Sequence, residues 1–188
     1  LIKNSTFIHL AAIVGEKAAT KDLNLSFQTN TQGAVRVFEN FAKYGGKRFI
    51  FASTSHVYEN SINIHSEKSK VSPSSYYALT KYLAEQEIIF LNKLYGIEIC
   101  IARIFSVLDL SGKPSSLGGM VKKSLEDTSS RIQIEFSSDI RDFLTSKDYS
   151  ILLRLIAETK ENLPETINLC SGRGSSVREA IQQMLKKR

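Results

Sequence analysis

From Thr6 onward the chain alternates short apolar runs, rich in β-branched residues, with longer stretches in which apolar side chains recur every three or four positions. TFIHLAAI (6–13) reads as a buried strand, and NTQGAVRVFENFAKYGG (30–46) as a helix stopped by paired glycines. KRFIFAST (47–54) reads as a second strand, 74–95 as a long helix closed by Gly96, and IEICIARIF (97–105) as a third strand. Continuous apolar strands separated by helices predict an α/β fold on a parallel sheet covered on both faces.

The texture changes after Phe105. SVLDLSGKPSSLGG (106–119) reads as a loop, followed by a helix near 120–127 and a strand at 131–136 with period-two alternation. An amphipathic helix over 146–160, a strand at 166–171 and a last helix from 175 complete the pattern, with Ser176 and Glu179 spaced as a capping box. The chain opens at Leu1 rather than methionine, and no glycine-rich turn follows its first strand. It is therefore expected to enter its fold partway through, as a fragment of a longer sequence.

Charge excludes some classes of partner. Lys and Arg total 25 against 19 Asp and Glu, a net +6, yet the cations are scattered and do not alternate with aromatic residues. A nucleic-acid surface is excluded on that pattern, while an anionic small ligand suits it. The longest basic run, LKKR at the end of the chain, suits the negative end of a helix. Cys100 and Cys170 sit in apolar runs away from any metal-like cluster, and are expected as buried free thiols in a reducing, cytoplasmic setting. No metal is expected. No apolar run reaches the roughly 20 residues of a membrane span, and no signal segment opens the chain, so no membrane partner is expected.

The long helix carries the candidate chemistry. Tyr77, Lys81, Ala84, Ile88, Leu91 and Tyr95 fall on one line, whose apolar members mark it as inward-facing. A lysine on such a line has two readings. It lies where the helix leaves the core, with its ammonium reaching for water, or it serves proton chemistry, since an ammonium one turn from a phenol favours the phenolate. Ser53, Thr54 and Ser55 end the preceding strand. Hydroxyls there either close a turn or face a ligand, because parallel sheets bind ligands at the carboxyl ends of their strands. A second apolar line, Leu79, Leu83, Phe90 and Leu94, needs a partner other than the sheet.

The blocks FIHLAA, NTQGAVRVFENFAKYGGKRFIFASTSHVY, SPSSYYALTKYLAEQ, IARIF, IRDFLTSKD and INLCSGRGSSVREAI stand in an order and spacing that resembles the extended short-chain dehydrogenases/reductases, the NAD-dependent nucleotide-sugar epimerase/dehydratase group. The resemblance implies a Rossmann-like, doubly wound α/β fold lacking its first strands, with residues 1–105 as a partial dinucleotide-binding domain. Residues 106–188 would be mostly a small α/β substrate-binding part, with segments returning to the Rossmann sheet.

It also implies roles for particular residues. Tyr77 matches the catalytic tyrosine, Lys81 its partner and a ribose ligand, and Thr54 the hydroxyl residue at the reacting sugar oxygen. Leu10, Ala11, Ala12 and Asn30 match residues lying along NAD or NADP, while Ser106 and Arg141 match positions at the substrate phosphates, a task a planar guanidinium suits. A nucleotide-diphosphate sugar is the implied substrate, and a homodimer through the Tyr77-bearing helix the implied assembly. The implied reaction is epimerisation or 4-keto reduction. The alternatives are a 4,6-dehydratase and a truncated, non-catalytic binding or scaffold relative.

The departures bear on the reaction. Dehydratases of the group follow the threonine with Asp-Glu, where this chain has Ser55 and His56, a histidine able to exchange protons near neutrality. Ser106 replaces an expected asparagine, Cys170 a glycine, and the GxxGxxG turn that receives the pyrophosphate is not in the sequence.

Overall fold

The computed structural model describes residues 2–110, 116–126 and 137–186, and the 131–136 strand expected from the sequence lies outside them. The chain divides into two compact units, Leu1–Ile104 with Leu153–Leu169, and Phe105–Leu152 with Cys170–Arg188.

The first unit is a four-stranded parallel sheet in the order β1 (Thr6–His9), β2 (Arg48–Thr54), β3 (Glu98–Ile104), β6 (Thr166–Leu169). All seven residues of β2 are buried, which explains the continuous apolar run FIFA (49–52) at its centre. On one face Phe49, Phe51, Ile99 and Ile101 pack against Ala34, Val35, Phe38 and Phe41 of α3 (Ala34–Lys43) and Ala84 and Ile88 of α4 (Tyr76–Tyr95). Helices flanking a parallel sheet make the unit Rossmann-like. Gly45, at φ +78°, and Gly46 end α3, and a Cβ on Gly46 would run into the Phe41 ring.

Several boundaries differ from the sequence reading, each for a local reason. β1 stops at His9 because the chain then leaves β2, and Asn30 takes the backbone groups of Ile13: its Oδ1 accepts from the Ile13 N–H at 2.7 Å and its Nδ2 donates to the Ile13 carbonyl at 3.0 Å. Two short helices, α1 (Glu16–Ala19) and α2 (Leu23–Phe27), precede a π-helical turn at Gln28–Gly33, which opens the helix expected from residue 30. Asp22 caps α2 by accepting from the Leu25 N–H. α4 begins one residue after the cap Ser75, which accepts from Ala78, and ends at Gly96 in the left-handed region.

The second unit holds β4 (Ser106–Val107), α5 (Leu117–Glu126), β5 (Ile140–Leu144), β7 (Gly174–Ser176) and α7 (Val177–Lys186), with β5 paired parallel to β4 and antiparallel to β7. Val121, Val177 and Ile181 centre its core. Ser176 and Glu179 form the expected reciprocal cap, the Glu179 N–H donating to Ser176 at 3.1 Å and the Ser176 N–H to Glu179 at 2.9 Å. The 106–119 stretch read as loop contains β4 and the start of α5, whose few residues are too short to show a period. Cys100 is buried, its thiol pushed up to about 11 by that burial, whereas Cys170 is only half-buried, against the expectation of two buried thiols. Among the described residues no helix is long and apolar enough to cross a membrane.

Arg48 at the start of β2 is 4% exposed and grips the end of α6 (Ser146–Glu158). Its Nη1 donates to the carbonyls of Ile156 at 2.8 Å and Thr159 at 2.7 Å, while its Nε lies 2.9 Å from Glu98 Oε2. A guanidinium thus supplies donors that the last helical carbonyls lack. Arg48→Met leaves those carbonyls and Glu98 without it, and urea denaturation should show a loss of about 3 kcal/mol.

His9 stacks between the rings of Phe49 and Phe51, and its Nε2 has no hydrogen-bond partner. Burial, then the charge of Lys81 on α4, lower it from 6.5 to about 4. The unfolded chain binds the extra proton between those values, so stability falls as pH drops through that window, by up to about 3 kcal/mol. His9→Phe keeps the stack and removes the proton; its denaturation midpoint should be flat over that range where the parent chain's falls.

Candidate active site

The site residues of the first unit are gathered at the carboxyl ends of β1 and β2 by the N-terminal half of α4. β2 ends in Thr54, whose Oγ1 accepts from the His56 N–H at 3.3 Å and so turns the chain into a single 3-10 turn, Ser55–Val57. α4 is fixed beside it from two sides. Glu16 accepts from the Tyr77 N–H at 3.1 Å, placing a carboxylate at the positive end of the helix, and Tyr76 donates to the Leu23 carbonyl at 3.1 Å. From the π turn, Asn30 donates to Thr80 Oγ1 at 3.1 Å and Thr31 to the Thr80 carbonyl at 2.8 Å. π turns are frequent at functional sites, and this one packs against the helix that bears the candidate residues.

Tyr77 is half-buried, and its phenol is held above the ordinary 10 by that burial, with the neighbouring Thr54 hydroxyl pulling the other way. The sequence predicts the opposite direction, on the ground that Lys81 would favour the phenolate. Desolvation sets the direction here, and it moves Lys81 as well. The lysine is 2% exposed with its Nζ 4.0 Å from the Phe51 ring centroid. Burial brings its ammonium from 10.5 down to about 7, while the charge of Glu85 pulls it back up. Lys81 is therefore buried, and the reading in which it reaches into water is set aside.

The other expected residues fall into two groups. Leu10 and Ala11 are exposed and Ala12 half-buried, directly past the end of β1 and free of sheet pairing. Asn30 is fully buried with its side chain engaged by Ile13 and Thr80. Ser106 and Arg141 lie in the second unit on the paired strands β4 and β5, with Arg141 in an exposed ion pair to Asp139 at 3.3 Å. His56 is exposed.

The sequence reading missed a buried polar group beside this cluster. Glu85, 0% exposed, receives Arg103 through Nη2 at 2.6 Å and Nε at 3.2 Å, and accepts from the Ser53 hydroxyl. Glu85 lies four residues beyond Lys81, next to Ala84 of the inward line, and an acid at that spacing was the available signal.

The residues present suit half of a dinucleotide. An uncommitted buried ammonium, a phenol and an exposed strand-end segment are fit to receive a nicotinamide and its ribose; a glycine-rich pyrophosphate turn is not in the sequence.

Comparison with known proteins finds relatives among nucleotide-sugar enzymes. A UDP-glucuronate 4-epimerase of Thermodesulfobacterium geofontis is 30% identical over 98% of this chain and 58% of its own length. A GDP-6-deoxy-D-talose 4-dehydrogenase of Aggregatibacter actinomycetemcomitans is 30% identical over 76% of the chain and 47% of its own. The crystal structure of UDP-glucuronic acid 4-epimerase from Bacillus cereus in complex with NAD superposes with a TM-score of 0.86 at 28% identity, covering 97% of this chain and 58% of that one. The chain thus spans less than two thirds of the length of these relatives. The family model for the NAD dependent epimerase/dehydratase family matches residues 3–170, and the chain belongs to that family.

Proposed function

We propose that the protein acts as an NAD(P)-dependent nucleotide-sugar epimerase, inverting C4 of a UDP-sugar by paired proton and hydride transfer. The observation that carries this reading is the Tyr77 phenol beside the Thr54 hydroxyl, with the buried Lys81 one helical turn behind. Similarity to a UDP-glucuronate 4-epimerase supports the substrate class.

In this reading Thr54 hydrogen-bonds the sugar oxygen and aligns it with Tyr77, which takes the hydroxyl proton and later returns it. The nicotinamide, when bound, supplies the hydride acceptor and then the donor. Lys81 offers its N–H groups to the ribose hydroxyls, and Leu10, Ala11 and Ala12 lie along the cofactor. Since burial holds the phenol up, its ionisation depends on added positive potential, from Lys81 in its charged form and from the oxidised ring. Ser106 and Arg141 match the substrate-phosphate positions of the group, and Arg141, in a weak surface pair to Asp139, has a planar fork suited to a bidentate anion. Ser55 and His56, where dehydratases of the group carry two acids, favour epimerisation over loss of water. Cys100 and Cys170, neither of them in a disulfide, fit a reducing, cytoplasmic setting.

The proposed assembly is a homodimer through α4, whose outer line leaves Leu79 and Leu83 39% exposed, Phe90 63% and Leu94 75%. A second copy offers the same apolar line and covers it by two-fold symmetry.

Given UDP-glucuronic acid and NAD, the protein should equilibrate the C4 epimers, followed by proton NMR. Tyr77→Phe should slow this by about a hundredfold to ten-thousandfold, and undiminished turnover would overturn the mechanism. Light scattering should report a dimer that Phe90→Glu with Leu94→Glu converts to a monomer.

A further inference from the structure

A buried polar row lies under α4 and crosses the sheet: His9 on β1, Lys81 and Glu85 on α4, Ser53 on β2, Arg103 on β3. A glutamate and a lysine four apart on a helix ordinarily pair with each other. Here the carboxylate is turned to β3 instead. Arg103 takes both of its oxygens, at 2.6 and 3.2 Å, and Ser53 donates to one of them. The guanidinium is itself held over the Tyr58 ring at 4.8 Å, and the Tyr58 hydroxyl donates to Asn168 of β6 at 2.7 Å. Lys81 is left over the Phe51 ring, with no ion pair among the described residues.

We infer that Arg103 is a positioning residue for the Tyr77 and Lys81 pair, acting through Glu85: by occupying both carboxylate oxygens it withholds the anion from Lys81 and leaves the ammonium uncommitted beside the phenol. The inference rests on the proposed role of that pair, but its physical content, the ionisation of Lys81, is measurable without cofactor or substrate.

The groups facing Lys81 settle the sign of each effect. α4 brings Tyr77 and Glu85, β1 brings His9, held neutral, and β3 brings Arg103. Phe51, Ser53 and Thr54 of β2, and Asn30 and Thr31 of the π turn, carry no charge. The row therefore holds one anion against two cations, and the arginine has the better geometry for it. Deleting Arg103 leaves Lys81 as the remaining cation for Glu85, which favours the ammonium. Deleting Glu85 leaves an unbalanced guanidinium in the row, which disfavours it. A merely structural role predicts something else: loosening of the core admits water after either change, and both move the lysine upward toward its ordinary 10.5.

The test is a pH titration of the protein carrying 13C at the lysine Cε, with the Lys81 signal assigned by its loss in Lys81→Arg. The parent midpoint is expected near neutrality, at about 7. Arg103→Met should raise it by about one unit or more, a tenfold change in the acid constant, and Glu85→Gln should lower it. Ser53→Ala removes one donor from the carboxylate without altering charge, and carries the test should the charge variants fail to fold; it should raise the midpoint by roughly twofold to threefold in the acid constant. Shifts of the same sign in Arg103→Met and Glu85→Gln would overturn the inference, as would an unmoved midpoint in Arg103→Met or Ser53→Ala. Full turnover in Tyr77→Phe would remove the proposed reaction while leaving this titration intact, so the two failures are distinguishable.

Discussion

The site depends on keeping an ammonium where water cannot reach it. Lys81 is 2% exposed, its stem lies in the core between α4 and β2, and its charge rests on an aromatic face instead of a carboxylate. Such a group hovers between its two protonation states near neutral pH, because burial works against the charge and the cation's surroundings only partly compensate. The tight sheet and the two helices over Phe49 and Phe51 are what make that desolvation possible. A looser core would return the lysine to its ordinary range and make it a simple surface cation.

Much of this was legible from the residues alone. The centres of β2 and β3, FIFA (49–52) and ICIA (99–102), are apolar because both faces of a parallel sheet are covered, and α4 announces itself by Ser75 before it, Gly96 after it and the line from Tyr77 to Tyr95 between. What was not legible depends on partners distant in sequence. Asn30 captures a backbone 17 residues earlier and Arg103 a carboxylate 18 residues earlier, and no local period encodes either. The sign of the Tyr77 shift was misread for a related reason. Spacing on a helix reports that a cation is near, but not how much water the fold has removed, and desolvation is the larger influence here.

The division into two units places the expected residues unevenly. The residues expected for proton chemistry, Thr54, Tyr77 and Lys81, all belong to the first unit, whose sheet is completed by β6 from the segment Leu153–Leu169. That segment is anchored from within by Arg48, so the arginine that closes α6 also secures the outermost strand beside β3. Ser106 and Arg141 sit in a small mixed sheet with a core of its own around Val121 and Ile181. The two groups of candidate residues are thus supported by separate cores.

The grip of Asn30 on Ile13 has an evolutionary consequence. It is made entirely through the N–H and carbonyl of Ile13, groups that every residue but proline possesses in full. The segment past β1 is therefore free to drift in side-chain character without changing its path, while a single exchange at Asn30 would release it. Diversification of what this rim contacts and preservation of where it runs are assigned to different positions in the gene.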